Sequence, residues 1–385
     1  MLSWLLRSLP RFPLGRTWRP LNFSNPNFGR ISANQIVEEE ALPDYIASRY
    51  YPTRIGEIIK DRYQVVGKLG YGTTSTVWLA RDINCRSYVT LKIFIKAASM
   101  GKQLDDELKM YQRIDRASKH PGRNAIRSLL DSFHIDGPED KHHCLVHPPL
   151  FESVWEFLHR NPVQRLHIKA NNIMFELADN SVFTKFEEDE LQNPSPRKEL
   201  DGRSIYLSRE LEMIPGKLGA PVLCDFGSAM LGDVEHLEDV QPDIYRAPEV
   251  ILEAPWWYSI DIWNVGCMIW NIFEGGSLFT GHDPEFQTYR SRAHLAEMIN
   301  LLGPHPPSLL ARAKQSQKFF SDSGEFREAG LLQDLTPLDQ RETTLEGEDK
   351  ESFLRMMRRK LQWEPEKRSS AQELAEDEWI CRQID

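Results

Sequence analysis

The sequence predicts an α+β chain, with a β-rich lobe first and a mainly helical lobe after it. Three observations carry that expectation. Residues 63–95, YQVVGKLGYGTTSTVWLARDINCRSYVTLKIFI, alternate β-branched and aromatic residues between glycine turns, the pattern of three antiparallel strands. The later half contains SIDIWNVGCMIWNIFEGG, apolar almost all round, as a fully buried helix is. An apolar share of 41% over 385 residues is enough for real cores, so wholesale disorder is excluded.

The elements follow in order. Residues 1–37 carry Arg7, Arg11, Arg16, Arg19 and Arg30 without one acid and begin MLSWLLRSL. They read either as a mitochondrial presequence or as a disordered basic leader. Acidic residues start at VEEEALPDY, and residues 38–62 lead into the first lobe. That lobe, residues 63–146, holds the three strands, the helical spacing of KQLDDELKMYQRI and the short strand HHCLVH. The second lobe, residues 147–381, opens on PPL, where two prolines end regular pairing. Residues 176–219, including KFEEDELQNPSPRKELDG, are polar without sustained periodicity and read as a surface insertion. Gly275 suits the C-terminal cap of the buried helix, and Ser370 with Glu373 forms a capping box on SSAQELAEDEWI.

Charge and cysteines exclude several classes. A formal net charge of −10 argues against nucleic-acid or anionic-membrane binding and favours basic partners. Cys85, Cys144, Cys224, Cys267 and Cys381 are scattered and form no CxxC, which fits a reducing compartment rather than disulfides or zinc. No run of about 18 apolar residues is free of charge, so no membrane span is expected. Cytoplasm or nucleus is the expected location, with mitochondria left open by the Arg-rich start.

Several short stretches carry chemistry. LGYGTTSTVWLA supplies Gly70 and Gly72, with Ser75 where a third glycine would stand. Bare backbone lets two strands and their turn close over a polyphosphate. Lys92 in VTLKIF lies on a following strand, and Glu107 on the next helix can hold its ammonium in place. Asp225 in VLCDFGSA follows an apolar strand and suits a carboxylate that holds Mg²⁺ against phosphates. Glu249 in YRAPEV and Arg368 in EPEKRSS are expected to form a buried ion pair. Asp261 lies inside the apolar helix, where an unpaired carboxylate would be costly, so it should accept backbone N–H bonds.

Taken in order, the glycine loop, Lys92, Glu107, NNIMF, Asp225-Phe226-Gly227, Ala247-Pro248-Glu249, Asp261 and Arg368 resemble a eukaryotic protein kinase over roughly residues 63–381. YYPTRIGEIIKDRYQVVGKLGYGTTSTVWLARD, PVLCDFGSA, DVQPDIYRAPEVIL, SIDIWNVGCMIW, LFTGHDP and KLQWEPEKRSSAQEL are similar to fungal-type members of the SR-protein kinase family. The resemblance implies a two-lobed kinase fold and transfer of the ATP γ-phosphate, with Mg²⁺, to protein serines. The substrates implied are Arg/Ser-rich, splicing-type proteins, met by a monomer with no direct nucleic-acid contact. It implies a nucleotide surrounded by Leu69, Gly70, Gly72, Ser75, Val77, Lys92, Pro148 and Leu150. His147 would be the gatekeeper, with the Pro148 C=O and Leu150 N–H facing adenine. Lys92 with Glu107 would orient the phosphates, Asn172 and Asp225 would hold the metals, and Lys169 would steady the γ-phosphate. Residues 176–219 fit a short version of the family's spacer. Between Gly227 and Arg246 only Ser228 and Tyr245 bear hydroxyls, which fits a family regarded as constitutively active.

RLHIKANNIMF departs from the family's His-x-Asp-x-Lys-x-x-Asn loop. Counting back from Asn172 and Lys169, the base position is His167. If His167 is instead the opening histidine, the base is absent. Residues 151–166 also fall about thirty residues short of holding the helix that precedes this loop in the family. A general base contributes about 10²–10⁴-fold, roughly 3–5 kcal/mol of barrier. A helix with about six buried apolar side chains is worth on the order of 10 kcal/mol. Ala293 and Asn300 stand where the family places acids that grip basic peptides, with Glu297, Asp283 and Glu285 nearby. Three readings stay open: a kinase impaired in this chain, an ATP-binding pseudokinase scaffold, or a shortened product of an active kinase gene.

Overall fold

The alternation in residues 63–96 builds the centre of a six-stranded antiparallel sheet. Its strands are β1 Ile58–Ile59, β2 Tyr63–Tyr71, β3 Ser75–Asp82, β4 Ser87–Lys96, β5 Asp131–Asp136 and β6 Lys141–His147. They lie in the order β1-β2-β3-β4-β6-β5. The computed structural model describes residues 17–96, 103–116, 119–154, 172–213, 216–232, 234–333 and 336–384. The chain divides into two compact units, one running up to Val154 and including Asn172–Ala229, the other continuing from Met230. The sequence places the boundary at residue 147. The difference arises because β7 Ile173–Leu177 and β10 Leu218–Leu223 pair with each other, while the segment between them packs on the sheet.

Side chains on a strand alternate between faces, yet both Val65 and Val66, and both Trp78 and Leu79, are buried. Each face of the sheet is therefore covered. One cover comes from residues 176–219, which the sequence assigns to a surface insertion. They form helix α2 (Ser181–Gln192), after α1 (Gln103–Arg116), and the hairpin β8 (Arg197–Leu200) with β9 (Arg203–Tyr206). Val182, Phe183 and Phe186 give α2 an apolar stripe, which packs with Val66, Leu79, Tyr88 and Phe151. A Cβ on Gly67 would come within 2.7 Å of the Phe186 ring, so glycine permits this approach. The stripe is short and set among acids, which is why no sustained period marks it.

Residues 17–37 are likewise ordered, contrary to the disordered-leader reading; residues 1–16 lie outside the described residues. The Trp18 N–H donates to the Ile83 carbonyl at 2.9 Å. Leu21 exchanges two hydrogen bonds with the Gln64 side chain, at 2.9 and 2.8 Å. Gly29 and Ile31 bond with the backbone of Arg197, whose guanidinium lies 3.5 Å from the Phe28 ring centre. The acidic triplet that follows is a clamp. Glu39 and Glu38 hold the buried Lys68 of β2, Glu38 also accepts from Ser208, and Glu40 holds Lys198 of β8.

The second unit contains α3 Ser259–Glu274, α4 Ser291–Leu302, α5 Gly347–Lys360, α6 Ala371–Ala375 and α7 Glu378–Ile384. Trp263, Trp270, Phe279, Leu295, Met298, Phe353, Met356 and Met357 belong to its core. Gly275 ends α3 at a φ of 67°, and Ser370 with Glu373 forms the expected capping box. Arg368 donates to both Glu249 oxygens, at 2.6 and 2.7 Å, with both side chains fully buried. Helix α3 is not buried all round. Asp261 and Val265, four residues apart on one face, are exposed, and among the described residues none donates a hydrogen bond to the Asp261 carboxylate. No described helix is long and apolar enough to cross a membrane. All five cysteines are free.

If the insertion is part of the core, Phe186→Ala should destabilise the first unit by about 3–5 kcal/mol in urea unfolding. A change below about 0.5 kcal/mol is the outcome for a surface insertion.

Candidate active site

Pairing in the sheet creates a row of cross-strand neighbours. Gly70 lies opposite Val77, Val77 opposite Lys92, and Lys92 opposite Leu145. Opposed residues of antiparallel strands project to one face, so the glycine loop and Lys92 share that face. The Lys92 ammonium lies 3.0 and 3.1 Å from the two oxygens of Glu107 on α1. It also lies 2.9 Å from Oδ1 of Asp225. Glu107 is buried, whereas the Asp225 side chain is 55% exposed and open to a ligand. Burial pushes the Glu107 carboxyl above its ordinary value, against the pull of Lys92.

Asp225 has a φ of 61°, a left-handed conformation that aspartate tolerates better than most residues. Phe226, next in the chain, meets the Tyr111 ring of α1 edge-on at 5.4 Å, and Tyr111 lies 5.2 Å from His147. Ile173 pairs with Leu223, and the Cys224 N–H donates to the Asn172 carbonyl at 2.7 Å. Asn172 and Asp225 therefore flank the same end of the β7–β10 ribbon. Both are oxygen donors of the kind Mg²⁺ accepts, and Mg²⁺ completes its shell with water and phosphate oxygens. Among the described residues no group of three or more His, Cys, Asp or Glu is arranged to hold a metal.

Gly70 and Gly72 have ordinary negative φ, and a Cβ on either would meet no protein atom within 4 Å. Neither turn geometry nor packing calls for glycine there. What its absence of side chain preserves is open approach to the loop, as a bound phosphate would need. The turn closes through Gly72 N–H to the buried Ser75 carbonyl at 2.8 Å. The Tyr50 hydroxyl lies 3.2 Å from both the Gly72 and Thr73 carbonyls. Leu69 and Val77 are partly buried beside the loop.

Of the two base-reading groups expected after β6, the Pro148 carbonyl already has a partner. The Pro148 carbonyl accepts Nε and Nη2 of Arg127, at 3.1 and 2.8 Å. The Leu150 side chain packs with Met174, Val222 and Cys224. Lys169 and His167 lie outside the described residues. In the second unit, Asp283 and Glu285 both bind Arg292, while Glu297 accepts the N–H groups of Thr280 and Gly281. Ala293 and Asn300 are buried. Sequence reasoning missed Tyr50, Tyr111 and Arg127. Only Arg127 left a signal, as a lone cation in the apolar run AIRSLL.

A β-rich unit bearing a strand lysine on a helix glutamate and an Asp-Phe-Gly turn, followed in the same chain by a helical unit, defines a protein kinase fold. A protein kinase domain model matches residues 213–380. The chain is 38% identical over 376 residues to a serine/threonine protein kinase of Aspergillus fumigatus, covering 93% of this chain and 94% of that one. It is 28% identical over 400 residues to the serine/threonine-protein kinase SRPK of Physarum polycephalum, covering 89% and 92% respectively. A crystal structure of a kinase domain superposes with a TM-score of 0.63 over 86% of this chain and 99% of its own, at 21% identity, a likeness of fold alone. The chain belongs to the serine/threonine protein kinase family.

His147 gives the first unit a pH dependence. Burial and the charge of Arg127 hold its ring well below the ordinary value of 6.5, while Nδ1 lies 2.8 Å from the Ser128 carbonyl. Unfolding frees the ring to take up a proton, so stability present above that value is lost as pH falls below it. Urea unfolding should show lower stability at about pH 5.5 than at about pH 7.5, and His147→Gln should shrink the difference. An unchanged slope in the variant would place the effect elsewhere.

Proposed function

We propose that this chain is a kinase of the SR-protein kinase type that binds ATP with Mg²⁺ but is impaired in phosphoryl transfer. The observation that carries the binding half is the Lys92 ammonium held between Glu107 and Asp225 on the face of the glycine loop. Lys92 would meet the phosphate oxygens, with Glu107 fixing its position. Gly70, Gly72 and Ser75 would cover the phosphates, and Leu69 and Val77 would flank the nucleotide. Asn172 and Asp225 would hold Mg²⁺, which when bound neutralises charge on the phosphates. Lys169 would steady the transferred group.

The impairment follows from RLHIKANNIMF, which contains no aspartate to accept the substrate hydroxyl proton. In that stretch His167 is the nearest group able to take a proton, but a neutral imidazole does not repeat an aspartate's charge or hydrogen-bond geometry. Retention of Lys92, Asn172 and Asp225 favours a shortened product of an active gene over a long-decayed pseudokinase.

Preference for Arg/Ser-rich proteins is supported by the motif similarities, by the likeness to the SRPK of Physarum polycephalum and by the net charge of −10. It gains nothing from Asp283, Glu285 or Glu297, which already bind groups of this chain. Cytoplasm or nucleus is favoured, because a presequence reaching residue 37 would take with it the contacts of Trp18, Leu21 and Gly29 to the sheet unit.

The experiment compares the purified chain with Lys92→Met, using Mg·ATP and a basic serine-rich peptide. The wild type should bind nucleotide saturably and the variant should bind it more weakly. Phosphate transfer by the two should be equal within error, because the missing base accounts for about 10²–10⁴-fold. Transfer well above the variant's would show a working base and overturn the impairment.

A further inference from the structure

The turn between β2 and β3 divides its backbone groups unevenly. All four carbonyls from Gly72 to Ser75 have donors. The Tyr50 hydroxyl lies 3.2 Å from both the Gly72 and the Thr73 oxygen. The Ile95 N–H donates to the Thr74 carbonyl at 2.9 Å, and the Gly72 N–H to that of Ser75 at 2.8 Å. The N–H groups of Thr73 and Thr74, by contrast, have no acceptor among the described residues, and Thr73 is exposed. The peptide bonds here are trans, so each N–H points opposite to the carbonyl of its own peptide unit. With the Gly72 and Thr73 carbonyls turned to one hydroxyl, the Thr73 and Thr74 N–H groups both face away from it. Successive free N–H groups on one side of a turn make an anion-binding surface.

Tyr50 is itself firmly held. It ends the short helical turn Ala47–Arg49, is 4% exposed and packs with Phe94, Ile95, Tyr111 and Leu145. Burial raises its phenol above the ordinary value, so the hydroxyl keeps the proton it donates. Gly72 has no Cβ to restrain its backbone, and rotation of the peptide after it would turn an oxygen to where an N–H now stands. We infer that Tyr50 is a positioning residue for phosphate binding, its hydroxyl holding the Gly72–Thr73 and Thr73–Thr74 peptides with their N–H groups free for phosphate oxygens. The inference rests on the nucleotide-binding reading above and adds the group that sets the loop's donors. Its ligand class is the Mg²⁺ complex of a triphosphate, inorganic or carried by a nucleoside. Without the hydroxyl the two peptides can turn over, and part of the binding energy goes into restoring their orientation.

The test measures dissociation constants of the full chain for Mg·ATP and Mg·tripolyphosphate. Tyr50→Phe keeps the ring and removes the hydroxyl, and should weaken both ligands by about three- to tenfold, the worth of one hydrogen bond. Tyr51→Phe is the control, because it removes a hydroxyl bound to Glu57 at 2.6 Å in the same segment. It should change neither constant by more than about twofold, whereas a purely structural role for the segment would weaken binding in both variants alike. In the wild type, Mg·tripolyphosphate should slow amide exchange at Thr73 and Thr74, a readout that decides even if Tyr50→Phe does not fold. Three results overturn the inference: Tyr50→Phe binding as tightly as wild type, Tyr51→Phe weakening binding equally, or exchange at both amides left unchanged. A wild type that binds neither ligand removes the nucleotide-binding reading and this inference together. Wild-type binding with an unaffected Tyr50→Phe removes this inference alone.

Discussion

One cation between two carboxylates organises the sheet unit. Lys92 reaches Glu107 on α1 and Asp225 at the end of β10, so a strand, a helix and a turn meet at one ammonium. Without that charge, a buried carboxylate and a second acid would face one another with nothing between them. Burial already disfavours the Glu107 anion, and repulsion would add to the penalty. The left-handed Asp225 costs on the order of 1–3 kcal/mol of backbone strain, so it persists only where its surroundings hold it. Lys92 and the Phe226–Tyr111 contact provide that hold.

The sheet that carries Lys92 is enclosed on both faces. Helix α2 covers the end of one face, and the Glu38–Glu40 clamp ties β2 to the β8–β9 hairpin. The consequence for the site is rigidity at the root of the glycine loop. Lys68 is pinned by acids and Gly67 lies against Phe186, while at Gly70 and Gly72 the space a Cβ would fill stays open. A loop anchored at its root and open at its tip can admit phosphates without loosening the strands that position them.

The helical unit spends its charges on itself. Arg368 and Glu249 neutralise each other in the core, with the Trp263 ring 5.1 Å from the guanidinium. Asp283 and Glu285 are committed to Arg292. An acid already bound to an internal arginine has little left for a substrate's arginine. Asp261 and Val265 keep exposed surface on α3, on a helix that the sequence pattern alone would bury all round.

The glycine loop and the Lys92, Glu107 and Asp225 cluster were legible because these residues are tied to local context. A glycine loop between strands, a strand lysine and an Asp-Phe-Gly turn each carry their own short signal, and their order carries more. The strands, α1, α3, the Gly275 cap and the Ser370 capping box were readable for the same reason, since periodicity and capping act over a few residues. Tertiary structure alone decided the partners set far apart in sequence. No local pattern tells that Phe186 will lie on Gly67, that Leu21 will bond Gln64, or that Arg127 will take the carbonyl of Pro148. Those choices depend on which surfaces the folded chain brings within hydrogen-bonding or van der Waals distance, and they turned an expected surface insertion into core.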